Sequence, residues 1–179
     1  MKALIIVDLQ NDFCPGGALP APEGDHIVPV INKLMNKFYL IVASKDWHPE
    51  STVHFEKWPA HCVRKTSGAE FHPGLNSAKI QKVFLKGTDD KDDGYSAFEA
   101  TNENLAEYLR KKQVSELYVT GLVTEYCVKQ TALESLRQGF KTFVVEDAVQ
   151  GINAHPNDVP QAKAEMEEAG AHFIKADEV

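Results

Sequence analysis

The sequence predicts an open α/β fold in which a mostly parallel sheet carries helices on both faces. Short apolar runs alternate with segments of helical periodicity along the whole chain. The apolar runs are nearly continuous in Val, Ile, Leu and Phe, which is typical of strands that are covered on both faces. Glycines follow two of the helical segments, where helices commonly end. The length of 179 residues suits one domain, 1–179, with a sizeable core.

The predicted strands are 3–8, 38–46, 82–87, 116–122, 141–148 and 171–176. The predicted helices are 26–37, 101–112, 124–138 and 157–169. Thr101 or Asn102 is expected to cap the second helix, and Gly139 and Gly170 end the last two. The region 47–81 interrupts the alternation, since it is poorly periodic and rich in Pro, Gly and His. A loop of that length inside a compact domain is usually functional.

Charge and composition exclude several classes of partner. A net charge of −7 argues against nucleic acid and against an anionic membrane surface, since both attract a basic face. No apolar stretch approaches the roughly 20 residues of a membrane span, and the N-terminus lacks the features of a signal peptide. Three cysteines and no secretion signal predict free thiols in a reducing, cytoplasmic setting.

Four chemically active residues stand at or just after the ends of the first four predicted strands. Asp8 ends the first strand, Asp46 the second and Lys86 the third, while the fourth runs into the helix that carries Cys127. Ligands of open α/β sheets bind outside the carboxyl ends of the strands. If the strands are parallel, these four side chains meet at one edge.

Cys127 is the candidate nucleophile. With Thr124 as N-cap, it would lie in the first helical turn, where the helix dipole and a nearby Lys lower a thiol pKa. A lone Cys is more often a small buried hydrophobe, but Lys86 and Asp8 at the same edge favour the nucleophile. Asp8 would act as the base. Taken singly, Asp8 could be a turn former and Lys86 a solvated lysine at a strand end.

A divalent metal is predicted in the stretch 44–63. One carboxylate and three imidazoles fall within sixteen positions there; these are Asp46, His48, His54 and His61. Such a set suits Zn²⁺ best, with Fe²⁺ or Mn²⁺ as alternatives, and leaves room for water or substrate. Scattered surface histidines are the competing interpretation, but their density favours a metal. His72 and Cys62 could compete as ligands, although structural roles are expected for both.

Aromatic residues near this stretch are candidates for a flat pocket wall. Phe13 and Trp58 would grip a planar ring well, although ordinary core packing explains them equally. The segment 89–100 resembles a calcium loop, but Lys91 and Ala100 stand where oxygen ligands are needed. No G-x-G-x-x-G follows the first strand, so a dinucleotide site lacks its usual phosphate loop.

Five motifs in this order resemble the nicotinamidases of the isochorismatase-like cysteine hydrolase superfamily. They are VDLQNDFCPGGAL at 7–19, SKDWHPESTVHF with WPAHCV at 44–63, GAEFHPGL at 68–75, FLKG with YSAFE at 84–99, and VTGLVTEYCVKQTALESLRQGF at 119–140. The resemblance covers nearly the whole chain. It implies a three-layer α/β/α fold with a six-stranded sheet.

The resemblance also implies a division of labour within the site. Asp8, Lys86 and Cys127 would form a catalytic triad, and the metal would be held by Asp46, His48, His54 and His61. A cis peptide bond is expected at Leu122–Val123, and the backbone N–H groups of Val123 and Cys127 would stabilise an oxyanion. Phe13 and Trp58 would hold the substrate ring, and Tyr126 would line the same pocket.

The expected reaction is hydrolysis of nicotinamide to nicotinate and ammonia through a Cys thioester, with pyrazinamide as a further substrate. Two alternatives remain open from the sequence. One is another amide or ureido hydrolase of the same superfamily, which would lack a stoichiometric metal. The other is a catalytically silent metal- or ligand-binding α/β protein. The sequence does not distinguish a monomer from a homo-oligomer.

Overall fold

The computed structural model describes residues 1–179 and contains one six-stranded sheet. The strands are β1 (Lys2–Val7), β2 (Leu40–Asp46), β3 (Lys82–Lys86), β4 (Glu116–Leu122), β5 (Lys141–Gln150) and β6 (His172–Ile174). All five neighbouring pairs are parallel, in the order β3-β2-β1-β4-β5-β6. The prediction of a mostly parallel α/β sheet is confirmed, with every pair parallel.

Four α-helices cover the sheet on its two faces. They are α1 (Val28–Leu34), α2 (Leu105–Lys111), α3 (Lys129–Arg137) and α4 (Asp158–Glu168). The side chains of β1 alternate between the faces: Ile5 packs in a cluster with residues of α2, α3 and α4, and Leu4 in a cluster with residues of α1. The three-layer arrangement is therefore confirmed, and the long region 47–81 shares the α1 face.

The predicted helix starts need two corrections. Asn104, rather than Thr101 or Asn102, caps α2, because its Oδ1 accepts from Glu107 N–H at 3.0 Å. Asn102 instead binds the backbone of β3, accepting from Leu85 N–H at 2.8 Å and donating to Val83 O at 3.0 Å. It thereby satisfies polar groups that an edge strand would leave unpaired.

The second correction concerns the helix that follows β4. Residues Thr124–Val128 form a π turn before α3 begins, and the backbone of Val123 occupies the N-cap position without any side-chain cap. Thr124 is therefore a buried residue of the turn and not the N-cap. The helix ends at Gly139 and Gly170 are as predicted, since both glycines have positive φ angles, 86° and 107°. None of the helices is long and apolar enough to span a membrane.

Candidate active site

The four predicted side chains at the strand ends converge beside β1. The chain leaves β1 toward β2 and β3 on one side, and β4 and β5 continue on the other, so β1 and β4 flank the point where the strand order reverses. Open α/β sheets place their ligands at such a point. Asp8, Asp46 and Cys127 each present one polar atom there, all within 4.8 Å of one another.

Lys86 lies at the centre of this group and is completely buried. Its ammonium nitrogen is 2.7 Å from Asp8 Oδ2 and 2.5 Å from Asp46 Oδ1, and it donates to Cys127 Sγ at 3.4 Å. A further bond runs to the carbonyl oxygen of Gly94 at 2.6 Å. Burial lowers the pKa of Lys86, but the charges of Asp46 and Asp8 outweigh it and raise that pKa well above 10.5. The lysine is thus a permanent buried cation, not a solvated strand-end residue.

The two carboxylate oxygens of Asp8 have different partners. Oδ1 accepts from the hydroxyl of Ser44 at 2.7 Å, whereas Oδ2 receives no well-aligned hydrogen bond. Burial raises the pKa of Asp8 above 3.8, although Lys86 opposes the shift. The backbone of Asp8 has a φ of 45°, a conformation that side chains other than glycine rarely adopt and that tends to occur at functional sites. Oδ2 contacts the Lys86 ammonium at 2.7 Å, and a carboxylate with a raised pKa next to a thiol suits a general base.

Cys127 lies in the π turn and lines the same pocket as the histidine ring of His54. The surroundings of Cys127 shift the pKa of its thiol in the direction opposite to the prediction. Burial raises the pKa of the Cys127 thiol well above 9.0, and the opposing effect of Lys86 does not reverse it. The prediction of a lowered pKa is therefore wrong, because the helix dipole argument did not include desolvation. The resting thiol is protonated, and its proton needs a nearby acceptor.

Three histidines present one ring nitrogen each to a common point. The Nδ1 atoms of His48, His54 and His61 are occupied by Gly87 O, the Asp92 carboxylate and Pro59 O, at 2.9, 3.0 and 2.7 Å. One ligating nitrogen from each ring lies within 4.8 Å of the others. The Nε2 of His48 is buried without any hydrogen-bond partner, and burial lowers the pKa of His54. With Nδ1 of each ring occupied, Nε2 is the nitrogen left to face the common point, and three imidazole nitrogens fit a divalent metal ion.

Asp46 belongs to both parts of the site. Its Oδ1 faces Lys86, and its Oδ2 lies 3.6 Å from His48 Nε2 and 3.7 Å from His61 Nε2. Burial favours the neutral acid, but Lys86 and the two histidines hold the pKa of Asp46 well below 3.8. The ionised carboxylate completes a set of one oxygen and three nitrogens, which suits Zn²⁺ and similar ions.

Gln10 fixes the backbone of Asp46, a role that the sequence analysis missed. Its side chain is fully buried and binds both main-chain groups of Asp46: Oε1 accepts from the N–H at 2.9 Å and Nε2 donates to the carbonyl at 2.8 Å. The same Nε2 donates to Ala69 O at 2.9 Å. Gln10 therefore ties the end of β2 to the long loop. Its place in the motif VDLQNDFCPGGAL, three residues after the end of β1, was the signal that the sequence offered.

The pocket beside Cys127 is lined by aromatic rings. Phe13, Trp58 and Tyr126 all contribute to its wall, as the sequence analysis expected. Phe13 stands 5.3 Å from the His61 ring, and Trp58 meets Tyr126 edge-on at 4.9 Å. The space between the lining atoms is about 360 Å³, counting the open mouth. The pocket suits a small planar molecule with one end at the thiol and the other at the histidines.

Gly94 and three further side chains of the pocket wall were not anticipated. Tyr95 comes from the segment after β3, Leu19 from the loop after β1, and Ile152 from the loop after β5. The Tyr95 hydroxyl accepts from Trp58 Nε1 at 3.1 Å and donates to Asp92 at 2.9 Å. Burial raises the pKa of Tyr95 to about 12. The motif YSAFE marked Tyr95, but nothing in the spacing of Leu19 or Ile152 indicated that they lie at this pocket.

The segment 89–100 contributes two residues to the site. Gly94 supplies the carbonyl that accepts from Lys86, and Asp92 accepts from His54. Hydrogen bonds from Lys57 and Tyr95 lower the pKa of Asp92 to about 2. The sequence argued against a calcium loop at this stretch and indicated no role for Asp92.

The other cysteines and histidines lie outside the chemistry. Burial raises the pKa of Cys14 to about 11 and that of Cys62 well above 9.0, and neither thiol lines the pocket that Cys127 lines. His72 accepts from Gly74 N–H through Nδ1 at 3.1 Å and belongs to a turn. Cys62 is buried beside His61, and its N–H donates to Asp12 at 2.7 Å.

The peptide bond between Leu122 and Val123 is cis, as the resemblance implied. Val123 and Cys127 both line the pocket.

Comparison with known proteins identifies the family to which the chain is similar. The Isochorismatase domain matches residues 2–178. The nicotinamidase of Escherichia coli strain K12 is 40% identical over 95% of this chain and 92% of its own. A pyrazinamidase of Pyrococcus horikoshii in complex with zinc is 44% identical, with a TM-score of 0.88 over 97% of this chain and 98% of that one.

A third relative adds a ligand-bound structure. PnC1 from L. infantum in complex with nicotinate is 33% identical, with a TM-score of 0.92 over 99% of this chain and 93% of that one. The similarity of this chain to each relative, in sequence or in fold, therefore extends over almost the full length of both proteins. The chain belongs to the isochorismatase family.

Proposed function

We propose that this chain is a metal-dependent nicotinamidase, which hydrolyses nicotinamide to nicotinate and ammonia and also accepts pyrazinamide. One observation carries the proposal: a single small aromatic pocket is lined by the thiol of Cys127 and by His54, His61 and Asp46. A planar ring carrying a carboxamide matches that arrangement, since the carboxamide meets the thiol while the ring nitrogen meets the histidine cluster. The names of the relatives point to the same substrates.

The first half of the reaction forms a thioester. The Cys127 thiol passes its proton to Oδ2 of Asp8 as the sulfur attacks the carboxamide carbon. The backbone N–H groups of Val123 and Cys127 stabilise the negative charge that develops on the carbonyl oxygen. Asp8 then returns the proton to the departing nitrogen, and ammonia leaves as the C–N bond breaks.

The second half releases the acid. Asp8 takes a proton from a water molecule as the water oxygen attacks the thioester carbon. The C–S bond breaks, the sulfur recovers the proton from Asp8, and nicotinate leaves. Lys86 stabilises the negative charges of Asp8 and of the sulfur at this buried position, because its ammonium contacts both.

Asp46, His48, His54 and His61 would hold the metal, and we infer zinc from three imidazoles and one carboxylate, a donor set that Fe²⁺ and Mn²⁺ also accept. When bound, the metal would supply a Lewis-acid site for the ring nitrogen, directly or through water. Phe13 and Trp58 would hold the two faces of the ring, and Tyr126 would close the side. Because the mechanism needs a reduced thiol, we also infer a reducing, cytoplasmic setting.

A substrate panel tests the assignment. The purified, metal-loaded protein is given nicotinamide, pyrazinamide, benzamide and an N-carbamoylated amine, and ammonia release is measured. Fast release from the first two and little from benzamide, which lacks the ring nitrogen, supports the proposal. Preference for the carbamoylated amine would contradict it and favour a ureido hydrolase.

A further inference from the structure

The segment 87–95, which follows β3, lies against the loop that carries His54. Asp90 Oδ1 accepts from Val53 N–H at 2.8 Å, and Asp92 binds both His54 and Lys57. The consecutive residues Val53 and His54 are therefore both bound by carboxylates of one short segment. The same segment begins directly after Lys86, so it joins the catalytic lysine to the histidine cluster.

His54 differs from the other two histidines in the partner of its Nδ1. The partners of His48 and His61 are backbone carbonyl oxygens, whereas the partner of His54 is the Asp92 carboxylate at 3.0 Å. A carboxylate has no hydrogen to give, so Nδ1 carries the proton and Nε2 carries the lone pair. The bond also fixes the rotation of the ring, with Nε2 toward the other ligands.

Asp92 itself is well anchored. Oδ1 accepts from the Tyr95 hydroxyl at 2.9 Å as well as from His54, and Oδ2 pairs with Lys57. Tyr95 in turn accepts from Trp58 Nε1 at 3.1 Å. One carboxylate thus connects a metal ligand to two aromatic residues of the pocket wall.

We propose that Asp92 is a positioning residue of the metal site, which selects the tautomer and orientation of His54 and strengthens it as a ligand. The inference rests on the metal site of the proposed function. Carboxylates that bind the far nitrogen of a ligating histidine do this in metalloproteins generally, and their loss typically weakens metal binding about 10- to 100-fold. The competing explanation is that Asp92 is a surface counter-ion for Lys57, whose side chain is 66% exposed.

Zinc affinity separates the two explanations without any substrate. The full chain is stripped of metal, and Zn²⁺ is titrated in competition with a chromophoric chelator. We expect Asp92→Ala to bind Zn²⁺ about 10- to 100-fold more weakly than the unaltered chain. Asp92→Asn should retain most of the affinity, since its amide oxygen still accepts from Nδ1–H. Lys57→Met removes the surface pair but leaves Oδ1 of Asp92 bound to Tyr95 and His54, so the affinity should stay within about twofold of that of the unaltered chain.

Two controls make the test specific. Asp89→Asn changes the charge of the same segment at an exposed position whose side chain pairs only with Lys91, so it should bind Zn²⁺ normally. The absorption spectrum of bound Co²⁺ reports the ligand geometry, and it should change in Asp92→Ala while the melting temperature of the metal-free protein does not. Equal Zn²⁺ affinity in Asp92→Ala and the unaltered chain, or an equal loss in Asp89→Asn, would overturn the proposal. Absence of Zn²⁺ binding by the unaltered chain would overturn the metal site itself.

Discussion

The ammonium nitrogen of Lys86 lies 2.5 Å from Oδ1 of Asp46, and the other oxygen of that carboxylate faces His48 and His61. One carboxylate therefore serves the thiol side and the histidine side of the site at once. Lys86 is held by Asp46 and Asp8 together, so the position of the cation next to Cys127 depends on a residue that also contacts the histidine cluster.

Replacing Asp46 should damage both parts of the site. Asp46→Asn removes a negative ligand and also the counter-charge of Lys86, so we expect weaker Zn²⁺ binding and a low kcat even at saturating Zn²⁺. His61→Asn removes a ligand alone, and its kcat should recover further when Zn²⁺ saturates. Titration of activity against Zn²⁺ for both variants checks this, and equal recovery of the two would contradict a shared role for Asp46.

Lys86 should be essential for stability as well as for activity. Lys86→Met leaves the carboxylates of Asp8 and Asp46 buried beside each other without a cation. Removing one partner from a buried ion pair typically costs about 3–5 kcal/mol. Urea unfolding of the metal-free protein measures this loss in the free energy of unfolding.

Lys45→Met is the matched control for that measurement. Lys45 is also largely buried, but its partner Glu70 is 56% exposed, and a pair open to solvent contributes about 0–1 kcal/mol. A loss for Lys86→Met no larger than that for Lys45→Met would show that the central ammonium does not hold the site together.

The thiol of Cys127 should titrate at high pH. Because burial raises its pKa well above 9.0, the S–H form predominates at neutral pH and the thiolate fraction grows as pH rises toward that pKa. Alkylation of Cys127 by iodoacetamide in the absence of substrate should therefore accelerate steadily up to pH 9 and beyond. Peptide-resolved mass spectrometry follows Cys127 separately, with buried Cys14 and Cys62 as internal references. A rate that levels off below pH 8 would mean a thiolate at rest and would contradict proton transfer to Asp8.

Glu125 should stabilise the part of the pocket wall that contains Ile152. It is buried in the π turn, and its Oε1 accepts from Asn153 N–H at 2.6 Å, next to Ile152 on the pocket wall. Glu125→Ala removes this hydrogen bond, and a typical hydrogen bond contributes about 0.5–1.5 kcal/mol. We expect the loosened wall to raise KM for nicotinamide, whereas Glu125→Gln, which still accepts, keeps KM near its original value. Steady-state kinetics decide the matter, and an unchanged KM in Glu125→Ala would remove the link between this residue and the pocket.

The sequence predicted the strand ends well because the parallel arrangement follows from local pattern. The continuous apolar runs of β1 and β2 require cover on both faces, and once the strands are parallel, Asp8, Asp46 and Lys86 must share an edge. The density of histidines in 44–63 marked the metal candidates. These features depend on residue type and on position along the chain, which a sequence displays directly.

Contacts between distant segments were not predictable in the same way. Asp92 meets His54 across 38 positions of the chain, and Gln10 binds the backbone of Asp46 across 36. The sequence does not indicate which distant residue an aspartate or a glutamine will contact. The thiol pKa was predicted in the wrong direction because burial of Cys127 depends on the packed site and not on its place at the start of a helix.

In the proposed function, the thiol of Cys127 performs the chemistry while Asp46 and the histidines hold a metal. The most direct test is ammonia release from nicotinamide by the unaltered chain and by Cys127→Ala, with bound metal quantified in the same samples. We predict that the unaltered chain releases ammonia, that the variant releases none, and that both hold the same amount of metal. Continued release by Cys127→Ala would contradict the nucleophile, and no release by the metal-loaded unaltered chain would contradict the substrate.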